Sequence, residues 1–237
     1  MKISQASTFL TARLENKILT EQERSRLFSK ANEEMSEELT EMVNQAQSLA
    51  EPVVLFGVCP VNQDAEGHIC VNGLRINSQL VRQKMQENNR CFPYVATCGE
   101  ALEAWSLQYK DDFLAAFWAE EIKNLYLNRI VAEFFAYLKT HYQVSGHLAS
   151  LNPGSLEQWT VRGQKELFEV LGGTDFVKEQ TGVVYTDTFL MLPIKSLSGI
   201  CFESNVFFEN CQHCPLTACP NRRAPHKAEE NTGCIIH

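Results

Sequence analysis

Residues 191–219 read MLPIKSLSGICFESNVFFENCQHCPLTAC, and this stretch decides how the rest of the chain is interpreted. Its first part places apolar residues among small polar ones, which favours a β-strand. Its second part brings Cys211, Cys214 and Cys219 within nine residues, and a proline follows each of the last two. Because proline cannot continue a helix, the pattern predicts a strand that leads into an irregular metal-binding segment.

The cysteine spacing is the strongest chemical signal in the sequence. Three close thiolates, one remote thiolate and a proline beside a ligand are typical of a [4Fe–4S] cluster. We expect Cys234 to be the fourth ligand, and Cys201 is the alternative. Zinc is the competing metal, because His213 or His226 could complete a tetrahedral site. A third interpretation is a group of reduced thiols without metal.

Composition limits the class of protein. The 237 residues carry a net charge of −8, whereas nucleic-acid-binding domains are normally basic. No apolar run approaches the roughly 20 residues that a membrane helix needs, and residues 1–16 lack the apolar core of a signal peptide. We therefore expect a cytoplasmic protein without a nucleic-acid or membrane partner. In that reducing compartment, clustered cysteines bind metal more often than they form disulfides.

Residues 1–50 are predicted to form a helical extension, with helix from residue 7 onward. Thr20 and Glu23 fit a capping box, and apolar residues then recur at helical spacing as far as Leu49. Such a polar-rich helix either packs one face on the body or serves as a dimerisation arm, which would make the protein a homo-oligomer.

Residues 51–208 are predicted to form the body, and residues 209–237 a cysteine-rich metal-binding tail. VVLFGVCPV (53–61) and CFPYVATCG (91–99) have the composition of buried strands. Strands and helices alternate without a regular βαβ repeat, so the predicted fold class is α+β with a mostly antiparallel or mixed sheet. Four scattered cysteines fit buried small hydrophobes rather than ligands: Cys59, Cys70, Cys91 and Cys98.

Two helices frame this body. Residues 111–142 contain no proline or glycine and carry a wide apolar stripe, which predicts a long central helix. Glu133 lies among its aromatic residues, either at the helix margin or in a polar role. Ser155 and Gln158 fit a capping box for a second helix that ends at Gly172-Gly173.

Three stretches in order resemble a known family: VATCGEALEAW (95–105), LNPGSLEQW with QKELFEVLGG (151–173), and MLPIKSLSGICF (191–202). Together they resemble the activation (reactivation) domain of vitamin B12-dependent methionine synthase, and more closely the stand-alone proteins related to it. The resemblance covers roughly residues 50–208. It implies an α+β fold with a curved antiparallel sheet and long helices, binding of S-adenosylmethionine, and contact with a cobalamin domain.

The resemblance also implies where a ligand would bind. In that family an Arg-x-x-Pro-Gly-Tyr loop holds S-adenosylmethionine. Pro153 and Gly154 match this loop, whereas Ser150 and Ser155 stand where the arginine and tyrosine would be. One lost charge-assisted hydrogen bond costs about 1.5–3 kcal/mol, so we expect weak or absent binding.

Further site residues follow from the same resemblance. Ser196 and Ser198 match the family's Ser-Val-Ser-Gly strand, and Glu133 lies near a carboxylate that the family uses. With Pro153 and Gly154, these three residues complete the set of candidate ligand contacts.

The cysteine spacing resembles the cluster motif of the large subunit of corrinoid iron–sulfur proteins. There two, four and sixteen residues separate successive cysteines; here fourteen residues separate Cys219 from Cys234. The combined pattern predicts an accessory protein of corrinoid-dependent methyl transfer that reduces a cobalamin protein through the cluster. Its partners would be a corrinoid-binding protein or methyltransferase and an electron donor. The alternatives are a non-redox module that binds S-adenosylmethionine or a corrinoid protein and carries structural zinc, and a plain interaction protein.

Overall fold

The computed structural model describes residues 1–6, 8–31, 35–144, 146–155, 157–212, 216–218 and 224–226. The strands are β1 Lys2–Ala6, β2 Phe9–Arg13, β3 Val53–Gly57, β4 Cys59–Gln63, β5 Ile69–Val71, β6 Leu74–Arg75, β7 Arg90–Thr97, β8 His147–Leu151, β9 Val184–Tyr185, β10 Met191–Leu192 and β11 Ser196–Ser204. The helices are α1 Glu21–Phe28, α2 Ser36–Leu49, α3 Gln79–Met85, α4 Glu100–Ser106, α5 Phe113–His141, α6 Gly163–Val170 and α7 Thr174–Thr181. Short 3₁₀ turns occupy Leu107–Tyr109 and Asn210–Gln212. Across these described ranges, no helix has the length and apolar character to span a membrane.

The main sheet is built around β7. Strands β3 and β4 pair successively with one edge of β7, and β11 pairs with the other edge and carries β8. Each of these pairs is antiparallel. Strands β1 and β2 extend the sheet beyond β3. The predicted α+β class with an antiparallel sheet is confirmed.

Side chains that alternate along β7 divide the core into two halves. Phe92 and Tyr94 point into a cluster with α2 and α5, where the Tyr94 and Phe134 ring centroids lie 5.2 Å apart. Cys91 and Val95 point into a second cluster that contains residues of α3, α6 and α7. Since helices cover both faces, every residue of β7 after Arg90 is buried, which explains why CFPYVATCG reads as a continuous apolar run.

The prediction of helix from residue 7 onward is wrong at its start. Residues Phe9–Arg13 form β2, which pairs with β3. Pairing with a buried strand decides the structure of such a short segment, and local sequence does not. The later part of the prediction is confirmed, because Thr20 and Glu23 form the capping box of α1 and α2 ends at Leu49.

The predicted helix capped by Ser155 begins later than expected. Residues 157–158 form a turn, and α6 starts only at Gly163 and stops just before Gly172. The turn that contains Gly154 uses the Ser155 backbone N–H, which donates to the carbonyl of Asn152. A competing turn therefore replaces the predicted helix start.

The scattered cysteines lie where a small apolar side chain is expected. Cys59, Cys91 and Cys98 are buried, and Cys70 is half-buried. Burial raises the pKa of Cys59 to about 11 and that of Cys98 to about 12. The Cys59 and Cys98 thiols therefore stay protonated at neutral pH, as expected of core residues rather than reactive ones.

A buried lysine fastens α4 and α5 to the segment before β11. Lys123 is 1 % exposed, and its Nζ lies 3.1 Å from a Glu103 oxygen, 2.9 Å from Ser106 Oγ and 2.5 Å from a Glu120 oxygen. The other Glu120 oxygen lies 3.0 Å from Lys195 Nζ. Partial burial opposes ionisation of Glu120, but the two lysines outweigh it and lower the pKa of that carboxyl.

We predict that Lys123→Met lowers the free energy of unfolding by about 3 kcal/mol, because it leaves partly buried carboxylates without their cation. Urea unfolding measures the change. Lys139→Met, on an exposed position of the same helix, is the control and should cost less than about 0.5 kcal/mol. Equal costs for the two variants would contradict the role assigned to Lys123.

The ion pairs of Glu120 also make stability depend on pH. Because pairing lowers the pKa of Glu120, its contribution to the free energy of unfolding is fully present above the ordinary carboxyl pKa and is lost as the pH falls through the lowered value.

Candidate functional site

The Pro153-Gly154 pair forms the centre of a tight turn after β8. The Ser155 N–H donates to the Asn152 carbonyl over 3.1 Å, and Gly154 has a φ of +83°. Proline followed by a residue with positive φ is typical of a type II turn. Pro153 is buried and Gly154 is exposed, so the turn offers only its glycine to a ligand or partner.

Asn152 is the centre of a buried hydrogen-bond network that joins this turn to β11. Its Nδ2 donates to the Ser198 carbonyl over 2.6 Å and to Tyr94 Oη over 2.9 Å. Its Oδ1 accepts from Asn210 Nδ2 over 2.6 Å and, more weakly, from Ser150 Oγ over 3.4 Å. Both N–H donors and the oxygen of this amide are therefore satisfied, as burial requires.

Gly199 makes room for Asn152. A Cβ at Gly199 would lie 2.4 Å from Asn152 Nδ2 and 2.6 Å from the Leu151 carbonyl oxygen. The neighbouring Ser198 is buried, and its Oγ donates to Gln164 Oε1 of α6 over 2.7 Å. The Ser-Gly pair of β11 is thus explained by packing against the turn on one face of the sheet and against α6 on the other.

The start of β11 is tied down by a second set of contacts. Ser196 Oγ lies 3.0 Å from Thr97 Oγ1 and 2.7 Å from the Pro193 carbonyl. The Cys98 N–H donates to the Lys195 carbonyl over 3.1 Å. Ser196 is half-buried, and its hydroxyl already makes hydrogen bonds within the protein.

Cys211 is the member of the predicted ligand set whose surroundings are described. It is half-buried in the 3₁₀ turn Asn210–Gln212. Because Asn210 contacts Asn152, the cysteine segment begins against the turn and β11. The other predicted ligands, Cys214, Cys219 and Cys234, and the alternative ligand His213 lie outside the described residues.

The two other alternative ligands lie in very different environments. Cys201 is fully buried in β11, opposite Phe92 and Ser150 in the register, and belongs to the core shared with α5. A cluster could reach this thiol only if the strand moved. His226 is exposed.

Glu133 lies away from the other candidate residues. It is half-exposed at the margin of α5, and its Oε2 is 3.5 Å from the Met1 amino group, beside β1. Three strands separate β1 from β11 in the sheet. At about 4.8 Å per strand, the path along the curved sheet from β1 to β11 is about 19 Å. The structure therefore brings together Pro153, Gly154, Ser198 and the turn that contains Cys211, without Glu133.

Exposed apolar side chains lie beside the turn and, along the chain, just before β11. Val161 is exposed and packs next to where a Cβ of Gly154 would lie. Leu190, Leu192 and Ile194 are exposed just before β11. We call these four side chains, with Gly154, the docking face. Ser198 and Gly199 are buried, whereas Leu192 and Ile194 of the same resembling stretch are exposed.

Four residues of the network are absent from the candidates that the sequence provided. They are Tyr94, Asn152, Gln164 and Asn210. Asn152 carried a usable signal, because asparagine is favoured at the first position of a turn before proline and glycine. The others are polar residues inside apolar or tail segments, and only the packing reveals their partners.

A separate group of possible metal ligands closes the hairpin between β4 and β5. Asp64, Glu66 and His68 each place one ligand atom within 4.8 Å of the others. Arg75 Nη2 already lies 2.5 Å from an Asp64 oxygen and 2.9 Å from a Glu66 oxygen. Backbone hydrogen bonds, first from His68, together with Arg75 lower the pKa of Asp64 to about 2. The guanidinium supplies the positive charge that this group needs.

Comparison with known proteins supports the fold. No protein-family model matches the chain, and no curated protein matches it. Among solved structures, the chain is similar to the reactivation domain of MetH bound to AdoHcy, with a TM-score of 0.58 and 15 % identity. The match covers 79 % of this chain and 68 % of that one. At this identity the similarity shows a shared fold, and the predicted reactivation-domain-like architecture is confirmed.

We predict that Gly199→Ala lowers the free energy of unfolding by about 2 kcal/mol, because the added methyl group overlaps Asn152 and the β8 backbone. Urea unfolding measures the change. Asn205→Ala, at the exposed position just after the same strand, is the control and should cost less than about 0.5 kcal/mol. A Gly199→Ala protein as stable as this control would mean that the contact between β11 and the turn is looser than described.

Proposed function

Because the chain has the fold of a reactivation domain, we propose that it is an accessory protein of corrinoid-dependent methyl transfer. In this proposal it binds a cobalamin protein and supplies the electron that returns inactive Co(II) to Co(I). The electron comes from a [4Fe–4S] cluster held by Cys211, Cys214, Cys219 and Cys234. A redox protein supplies the reductant, and the cobalt chemistry belongs to the partner.

One observation carries the proposal beyond the fold. Asn210 Nδ2 lies 2.6 Å from Asn152 Oδ1, and Asn152 Nδ2 lies 2.6 Å from the Ser198 carbonyl. Two side chains therefore separate the backbone next to Cys211 from β11. A cluster bound at Cys211 would lie beside β11, which borders the docking face. An electron that passes from the cluster to a docked partner would leave through this face.

The donor set fits an iron–sulfur cluster. Thiolates are soft ligands and suit iron–sulfur clusters or zinc, and Cys211 is half-buried rather than enclosed in the core. When bound, the cluster would supply one electron at low potential, since cluster potentials extend down to about −700 mV. The chain's own residues then hold the cluster, orient it and present the docking face.

The docking face suits a protein partner. Val161, Leu190, Leu192 and Ile194 are between 39 % and 53 % exposed. We propose that they act as one interaction surface, since patches of exposed apolar side chains are typical of interaction sites. Lys195 and Glu120 lie beside this face as an ion pair. We therefore assign the corrinoid protein to this face rather than to a small-molecule pocket.

The binding site for the adenosyl ligand of the similar structure is not carried over directly to this chain. Ser150 Oγ lies 3.1 Å from Tyr94 Oη and within reach of Asn152. These groups satisfy one another inside the protein, and Ser150 offers no cation for a ligand carboxylate. We propose that the methyl donor, where one is needed, binds to the partner or only weakly to this chain.

We predict that anaerobically prepared protein contains about four irons per chain. Cys211→Ala, Cys214→Ala and Cys219→Ala should each abolish iron binding, because each removes a thiolate ligand. Cys234→Ala should destabilise the cluster far more than Cys201→Ala, which serves as the matched cysteine control. Iron analysis and the anaerobic absorption spectrum measure both effects. Stoichiometric zinc without iron would favour the structural-zinc alternative, and a larger loss with Cys201→Ala would place the fourth ligand on the strand.

We predict that S-adenosylmethionine binds weakly or not at all, because the carboxylate-binding arginine and the aromatic residue are replaced by Ser150 and Ser155. Titration calorimetry should give a dissociation constant well above 1 µM, which corresponds to a binding free energy weaker than about −8 kcal/mol. Micromolar or tighter binding would show that other residues compensate.

We predict that the reduced, iron-loaded protein accelerates the return of a Co(II) corrinoid protein to its methylated form, in the presence of a methyl donor. Corrinoid absorbance follows the reaction for each candidate partner from the same cell. Ile194→Asp, on the docking face, should slow the reaction at least about tenfold, because burying an unpaired charge in an interface costs well over 1.4 kcal/mol. Val206→Asp, at an exposed position after β11, is the control. Equal rates with and without iron in the protein would reject reductive activation.

A further inference from the structure

Asn210 places an unsatisfied polar atom beside the cysteine segment. The residue is 6 % exposed, and its Oδ1 is buried without a hydrogen-bond partner among the described residues. Leaving an acceptor buried in this way is unfavourable, and the favourable contact of Asn210 is made by the other end of the same amide.

The orientation of the Asn210 amide follows from the network. The Ser198 carbonyl can only accept, so the Asn152 atom 2.6 Å from it must be Nδ2. Asn152 then presents Oδ1 to Asn210, and the Asn210 atom 2.6 Å away must be the donor Nδ2. The Asn210 atom without a partner among the described residues is therefore Oδ1, and exchanging its oxygen and nitrogen would not satisfy both contacts.

The same contact connects two parts of the structure. On one side is Cys211, the next residue in the chain. On the other side are the Asn152–Ser155 turn and the Ser198 carbonyl of β11, both held by Asn152. Gln212, in the same 3₁₀ turn and equally buried, hydrogen-bonds only within the turn through Glu209 in the contacts described. Asn210 is thus the residue of this turn whose side chain is shown to reach the sheet.

We propose that Asn210 is a positioning residue that couples the metal-loaded cysteine segment to the docking face through Asn152. The Asn210–Gln212 turn is held beside β11 when Asn210 donates to Asn152, and metal bound at Cys211 tightens the Asn152–Ser155 turn through this contact. The functional meaning of this coupling rests on the proposed function, since it positions the electron source against the partner. By reciprocity, a partner that tightens the turn also stabilises the loaded segment.

The contact is tested first in the metal-free protein. Loss of one hydrogen bond of about 1 kcal/mol raises the open population about fivefold, so Asn210→Ala and Asn210→Asp should speed alkylation of Cys211 by iodoacetamide about fivefold. Aspartate has the size of asparagine but lacks the donor at neutral pH, which separates hydrogen bonding from packing. Gln212→Ala is the matched control and should react like the wild type. Wild-type rates in Asn210→Asp would overturn the positioning role.

The coupling is tested by hydrogen exchange before and after anaerobic loading with ferrous iron and sulfide. In the wild type and in Gln212→Ala, loading should slow exchange at the Gly154 and Ser155 amides about fivefold. In Asn210→Ala and Asn210→Asp, iron should still bind but exchange at these amides should not change. If the wild type binds iron without any slowing, the coupling is refuted while the proposed function stands. If the wild type binds no iron, the coupling and the proposed function both fail, and only the Asn210–Asn152 contact measured by alkylation remains.

Discussion

A buried side-chain amide must find partners for two N–H groups and one oxygen, and Asn152 meets this demand with four neighbours. The structure around the candidate site depends on this constraint. One partner is a backbone carbonyl of β11, one is the Tyr94 hydroxyl of β7, and one is Asn210 of the C-terminal 3₁₀ turn. Because each N–H and the oxygen have fixed directions, the strand, the turn and the start of the cysteine segment have one arrangement that satisfies the amide.

The constraint explains which small residues surround the site. Gly199 is needed because a side chain would occupy the space of the Asn152 amide. Gly154 is needed because the turn that begins at Asn152 requires a positive φ. Ser198 satisfies Gln164 on the opposite face and so holds α6 on the sheet. Residues that resemble a ligand-binding motif in the sequence thus stabilise the fold. In the proposed function, the exposed apolar side chains of the docking face contact the partner.

In the proposed function, the same constraint separates electron delivery from ligand binding. The Ser150 hydroxyl and the Asn152 amide hydrogen-bond within the protein. The turn, instead of holding a ligand carboxylate, holds the residue before Cys211. We interpret the site as a reactivation-domain scaffold in which the loop supports a redox segment, with the methyl donor bound mainly elsewhere.

Sequence was sufficient for the elements whose patterns are long or chemically specific. The long helix α5, the capping box of Thr20 and the buried strand β7 follow from periodicity and capping chemistry. Strand β2 was missed because a five-residue segment takes its structure from the strand that it pairs with. Glu133 joined the candidate set through loose similarity, whereas the sheet order places it far from β11. Asn210 could not be found from sequence, since its role depends on contact with a residue 58 positions away.

In the proposed function, the cluster lies beside the strand that borders the docking face and reduces Co(II) on the docked partner. Electron paramagnetic resonance of the reduced, iron-loaded protein before and after mixing with a Co(II) corrinoid protein tests this most directly. Transfer of the electron leaves the cluster in its diamagnetic [4Fe–4S]2+ state and converts paramagnetic Co(II) to diamagnetic Co(I). Both signals should therefore be lost together on mixing, and Ile194→Asp should slow this loss. Signals that simply add, in a mixture shown by sedimentation to contain the complex, would contradict reductive activation at the docking face.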